Sequence, residues 1–264
     1  MTHPTRNIIL VAGPSASGKT HTLNTIRHEI RELGLAHEFI PISDSHTILD
    51  RVREDDARGS QNHYHPWEGG GIGHNHDSHP EITPLTLAGY EIGVAFMQDF
   101  FDALSYVPDD GVIHYAEWSG GKNINPPDDP ASRADISFTT ISRLLREGTI
   151  ISTGLDRVLA VLHMETSREH RVLLNESRGI PSDEMIRQGR ASWKLDATAM
   201  RIFGEDDFKS VIPVLQGHGI PLIRTIHNKG RDEVQQELHA VLPEILSLWQ
   251  GGETGREGGK EQRY

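Results

Sequence analysis

Short apolar runs alternate with longer stretches of helical period along most of the chain. The runs are Asn7–Ala12 (NIILVA), His37–Ile42 (HEFIPI), Gly111–Trp118 (GVIHYAEW), Arg157–Met164 (RVLAVLHM) and Ile220–Ile226 (IPLIRTI). Most are nearly continuous in apolar residues, which predicts strands covered on both faces of a sheet. After the first run, Leu23, Ile26, Ile30 and Leu33 recur at spacings of three, four and three. That period predicts a helix, with Gly34 as its stop. Ile92, Phe96, Phe100 and Leu104 mark one face of a second helix over about Leu85–Ser105. A shorter helix is predicted over about Ile136–Arg146, and a last one over about Arg231–Trp249, with Pro243 a place where it can bend. Strand and helix in alternation predict an α/β fold built on a doubly wound parallel five-stranded sheet with flanking helices.

Two stretches break the rhythm. Arg58–Thr83 is rich in Gly and His, and Ser119–Asp135 contains NPPDDP. Loops this long in a compact α/β domain are more often functional than incidental. Residues 1–250 read as a single domain, and the polar, glycine-rich residues 251–264 as a disordered tail. The 264 residues suffice for a full core, and 36% hydrophobic with 24% charged residues is ordinary for a soluble protein. With no cysteine, disulfides and thiolate metal sites are excluded. The start, MTHPTRN, lacks the pattern of a signal peptide, and no apolar run has membrane-spanning length. The expected location is the cytoplasm. A formal charge of -12 argues against a general affinity for nucleic acid, which needs a basic surface.

Residues 13–20 read GPSASGKT, between the first predicted strand and the first predicted helix. This is the phosphate-binding loop pattern in the context its mechanism requires. Gly13 and Gly18 let the backbone wrap closely, so the N–H groups of Ser15, Ala16 and Ser17 and the helix start point at phosphates. Lys19 is then expected to bridge the β- and γ-phosphates and Thr20 to hold Mg²⁺. The cofactors predicted are ATP and Mg²⁺, on a P-loop NTPase fold. The loop leaves open where the phosphoryl group goes.

Transfer to a hydroxyl calls for a carboxylate in line with the γ-phosphate. In a doubly wound sheet such groups project from the C-terminal strand ends. Asp44 follows the second predicted strand in IPISDSHTI, and Glu117 ends the third in VIHYAEW. On these residues, on NHDSHPE (Asn75–Glu81) and on SREHRVLLNESRG (Ser167–Gly179), the chain resembles the P-loop small-molecule kinases of the uridine kinase and phosphoribulokinase type. The resemblance implies Asp44 as general base and Glu117 near the magnesium. It also implies an arginine-bearing lid over about 167–192, with Arg171 and Arg178 foremost. By the same analogy, His227 and Asn228 neighbour the adenine. The chain departs from the family in the residue inserted between Asp77 and His79, and in EWSGG after the third strand.

The histidine-rich loop allows three readings: a zinc site, a solvated mobile loop, or a substrate-recognition loop. In the last, His76, Asp77 and His79 bond hydroxyls or amines and Tyr64 or Trp67 stacks on a ring. Asp55, Asp56, Glu68, Asp77, Glu81, Asp128 and Asp129 crowd the long loops and their approach, a charge that would attract a cationic acceptor such as an aminoglycoside. The expected partner is a small-molecule hydroxyl acceptor, nucleoside- or sugar-like, with no nucleic acid and no membrane; a homodimer is compatible with this. The alternatives are an antibiotic-modifying kinase, a nucleoside-monophosphate kinase and a nucleotide-gated regulatory protein.

Overall fold

The apolar runs do pair edge to edge. In the computed structural model, which describes residues 6–38, 41–44, 47, 97–121, 137–178, 200 and 204–257, strands β1 (Ile8–Gly13), β2 (Ile42–Ser43), β3 (His114–Ser119), β4 (Val158–Glu165) and β5 (Leu222–His227) form one sheet in the order β2-β3-β1-β4-β5. Every pairing is parallel. β1 lies at the centre and all six of its residues are buried, as its unbroken apolar sequence requires.

Alternation across the pleat divides the core in two. Ile9 and Val11 face α1 (Lys19–Glu32) and α6 (Arg231–Glu257), where they meet Leu23, Ile26, Ile30, Val234, Leu238 and Ile245. Ile8, Leu10 and Ala12 face the other layer, made by α2 (described over 97–105), α3 (Phe138–Arg146) and α5 (Ile212–Gly217). There an aromatic ladder runs under the strand ends: Phe101 meets Trp118 at 5.6 Å, Trp118 meets Phe138 at 5.0 Å and Phe138 meets Phe208 at 5.2 Å, all edge to face. Gly120 exists because Phe138 sits on it. A Cβ there would lie 2.7 Å from the ring's Cζ, so the position two after Trp118 has no room for a side chain.

Several boundaries differ from the pattern. The second strand is two residues, Ile42–Ser43, with His37 making only an isolated bridge to Ile113. Leu33 is not in the core but 57% exposed: α1 ends at Glu32, and Gly34 (φ 70°) turns the chain so that Leu35 N–H bonds Ile30 C=O. α4 (Arg168–Glu176) lies in the arginine-bearing segment, where a helix is one of the readings, and α5, six residues long, is too short to show a period. α6 continues to Glu257, so the backbone of 251–257 is helical where a disordered tail is expected; 258–264 lie outside the described residues. Also outside are Ile92 and Phe96, all of 58–83, 122–135 of the second long loop, and 179–192 of the lid. No helix among the described residues is long and apolar enough to cross a membrane.

Candidate functional site

The turn after β1 is where parallel strands end together, and GPSASGKT makes it. Gly13 has φ 151° and Gly18 φ 97°. A side chain at Gly13 would come 2.9 Å from both Met164 O and Ser17 Oγ, and one at Gly18 would come 2.5 Å from Asn228 Nδ2. Both positions therefore need glycine on space as well as on conformation. Ala16, at φ 63°, is the one non-glycine residue with positive φ among those described.

Residues just past the neighbouring strands hold this loop by one carbonyl, that of Ser17, whose own N–H closes a turn onto Pro14 O at 3.2 Å. Ser17 O accepts from Thr166 Oγ1 (3.0 Å), just past β4, and from Asn228 Nδ2 (2.8 Å), just past β5. Asn228 is in turn fixed by its own N–H to Glu165 O at 2.9 Å. Among the described residues, Ser17 Oγ is buried without a hydrogen-bond partner, in a loop whose form is that of an anion cradle.

Lys19, 6% exposed, folds back to donate to Gly13 O (2.9 Å) and Pro14 O (3.1 Å). Burial pushes its pKa down from 10.5 to about 8; the charges of Glu117 and Asp44 oppose that fall, while Arg178 and Arg171 add to it. The five side chains singled out as catalytic, from four separate parts of the sequence, therefore share one electrostatic neighbourhood. The sheet explains it: β2 pairs with β3 so that Ser43 stands opposite Glu117, and Glu117 stands opposite Val11 of β1. Asp44, 3% exposed, follows directly, and its Oδ2 accepts the Ser119 N–H at 2.6 Å, a charge-assisted bond that orients the carboxylate. Among the described residues, Glu117 Oε1 is buried with no hydrogen-bond partner. Burial lowers the Arg178 pKa and Glu117 raises it.

Arg171 is not on a solvent-facing helix surface. It is 1% exposed, donating to Ser15 O at 3.4 Å and to Gly204 O. α4 carries it there because Ser167 caps the helix, accepting the His170 N–H at 3.1 Å. His227 stands half-exposed between two carboxylates, Nε2 to Glu165 at 3.1 Å and Nδ1 to Glu237 at 3.2 Å. Thr20 is half-buried at the start of α1. Tyr64, Trp67, His76, Asp77 and His79 lie outside the described residues. Among the described residues no group of three or more histidine, cysteine or acidic side chains is arranged to hold a metal, so the zinc reading of the histidine-rich loop also falls outside them.

Three contributors went unrecognised in the sequence: Thr166, His163 and Asp206. For His163 there was a signal, an imidazole inside the otherwise apolar VLHM. The parallel order β2-β3-β1-β4-β5, with the glycine-rich loop between its central strand and α1, is the P-loop NTPase fold. No protein-family model matches the chain and no curated protein matches it. Among solved structures, shikimate kinase from Acinetobacter baumannii in complex with shikimate is similar at a TM-score of 0.40 and 13% identity, over 92% of this chain and 95% of that one. A protein from Chloroflexus aurantiacus provisionally named a kinase is similar at a TM-score of 0.38 and 14% identity, over 96% and 99%.

Proposed function

We propose that the chain is a cytoplasmic kinase, a single domain over residues 1–250, that moves the γ-phosphate of ATP to a hydroxyl of a small polar metabolite. What supports this is that Asp44 and Glu117 both bear on the buried Lys19, at the strand ends where a phosphoryl acceptor has to arrive. A nucleotide switch needs the cradle but not two carboxylates beside it.

In this reading the N–H groups of Ser15, Ala16, Ser17 and Gly18 receive the phosphates, and Lys19 releases its two loop carbonyls to bridge the β- and γ-groups. Asp44, aimed by the Ser119 N–H, accepts the proton of the acceptor hydroxyl. The hydroxyl oxygen bonds to the γ-phosphorus as the bond to the β-phosphate oxygen breaks, and ADP leaves. Arg171 and Arg178 supply positive charge for the moving group. Thr20 and Glu117 would hold Mg²⁺, whose chemistry is to neutralise phosphate charge; the unpartnered Glu117 Oε1 is the hard oxygen donor such an ion prefers. His227 and Asn228 flank the base. Tyr64, Trp67, His76, Asp77 and His79 receive an acceptor that is nucleoside- or sugar-like.

The test is incubation with ATP, Mg²⁺ and a panel of nucleosides, sugars and aminoglycosides, followed by mass measurement for a gain of one phosphate. One class of acceptor is expected to gain it, and that class separates the metabolite from the antibiotic reading. If no acceptor speeds ADP release, the transferase reading fails and the nucleotide switch takes its place. Asp44→Asn should slow transfer by about a thousandfold with ATP still bound; near-normal turnover would remove Asp44 as base.

A further inference from the structure

His163 is an imidazole in the middle of a buried apolar strand, 3% exposed, where an aliphatic residue would pack without needing partners. Its ring lies flat on Phe208, centroids 4.2 Å apart and planes 5° from parallel. Nδ1 faces Thr225 Oγ1 at 3.4 Å, and Nε2 meets Asp206 Oδ2 at 2.7 Å. The other carboxylate oxygen, Oδ1, accepts the Phe208 N–H at 3.1 Å. Both oxygens of Asp206 are thus held from the core side.

Asp206 also borders a cleft of about 440 Å³ lined by Thr166, Arg168, Arg171, Gly204 and Glu205. Arg171 reaches Gly204 O on one side of it and Ser15 O of the phosphate loop on the other. Burial lowers the Arg171 pKa, and Asp206 is the foremost charge opposing that fall. The buried guanidinium is repelled by Arg168 and by Lys19. A fixed anion across the cleft offsets that repulsion.

We propose that Asp206, braced by His163, is a positioning residue that holds Arg171 against the phosphate loop and thereby sets the affinity for the triphosphate. This rests on the reading of that loop as a triphosphate cradle. His163 bonds Asp206, Asp206 shares the cleft with Arg171, and Arg171 donates to Ser15 O, so the aromatic core and the nucleotide site meet across that cleft. A carboxamide at 206 keeps the shape and the Phe208 bond but loses the charge that offsets the burial of Arg171, so the guanidinium holds Ser15 O less firmly. The same loss follows if the ring at 163 keeps its stacking but not its N–H.

The experiment is titration of the full chain with a fluorescent ATP analogue and Mg²⁺, beside thermal melts, for wild type, Asp206→Asn, His163→Phe, His163→Gln, Arg171→Lys and the Asp206→Asn/Arg171→Lys double variant. Asp206→Asn and His163→Phe should each raise Kd about tenfold, the usual worth of a charge-assisted contact. His163→Gln, which returns an N–H near the Nε2 position, should recover most of that affinity even if its melting point is no higher than that of His163→Phe. The double variant should bind no worse than Arg171→Lys alone. Wild-type affinity in Asp206→Asn, equal affinities in the two His163 variants, or additive losses in the double variant overturn the proposal. If Asp206→Asn does not fold, the His163 pair decides it. A wild-type chain that binds no triphosphate overturns both this and the cradle.

Discussion

Lys19 makes triphosphate binding depend on pH in a way that tests the site directly. Desolvation holds its pKa at about 8, against 10.5 in water. That gap corresponds to about 3 kcal/mol of differential cost for keeping the ammonium in its dry seat. The folded pKa is the lower one, so Lys19's contribution to stability is fully present above 10.5 and is lost as pH falls through about 8. The empty protein therefore gains stability from this group as pH rises across that window. A bound triphosphate favours the charged form and reverses the preference. Above pH 8, binding must take up one proton, and affinity should fall by about tenfold for each further pH unit. Calorimetric titration with ATP and Mg²⁺ from neutral pH to about 9.5 measures this, and Lys19→Arg is the control, since a guanidinium stays charged throughout. Wild-type affinity should bend downward near pH 8 while Lys19→Arg stays level. A wild-type profile as flat as that of the arginine variant would refute a desolvated Lys19 as the phosphate ligand.

Three further outcomes follow from the packing. Gly18→Ala forces a Cβ to within 2.5 Å of Asn228 Nδ2 and breaks its bond to Ser17 O; a loss of about 1–3 kcal/mol in chemical denaturation is expected, together with weaker nucleotide binding. Phe138→Ala removes the ring between Trp118 and Phe208, and should cost about 3–5 kcal/mol, read from the Trp118 fluorescence transition. Glu117→Gln leaves the shape of the site but weakens an oxygen donor, so the Mg²⁺ concentration needed for half-maximal turnover should rise while metal-free nucleotide affinity does not fall; an unchanged magnesium requirement would separate Glu117 from the ion.

Much of the site was legible because its parts are local. GPSASGKT carries its own backbone requirements, and Asp44 directly follows β2 while Glu117 lies two residues before the end of β3, both close to where an apolar run stops. The arginines were legible as a charge-rich segment only. That Arg171 is a buried clamp on Ser15 O, rather than a surface cation, depends on α4 docking beside a segment more than thirty residues later in the chain. His163 and Asp206 carried no mutual signal, since their 2.7 Å contact joins residues 43 apart. The second strand was read too long for a similar reason: HEFIPI has β-like composition, but only Ile42 and Ser43 find a ladder on β3.

The sequence alone determined where the central strands run, that most of their residues go inside, and that a phosphate cradle follows the first strand, because period, glycine and the loop motif act over a few residues. Tertiary structure alone decided which distant charges face Lys19 and which polar groups are buried together. Those choices come from parallel strand order and register, which bring the C-terminal ends of β1, β2, β3 and β4 to one rim across gaps of sequence that no local pattern spans.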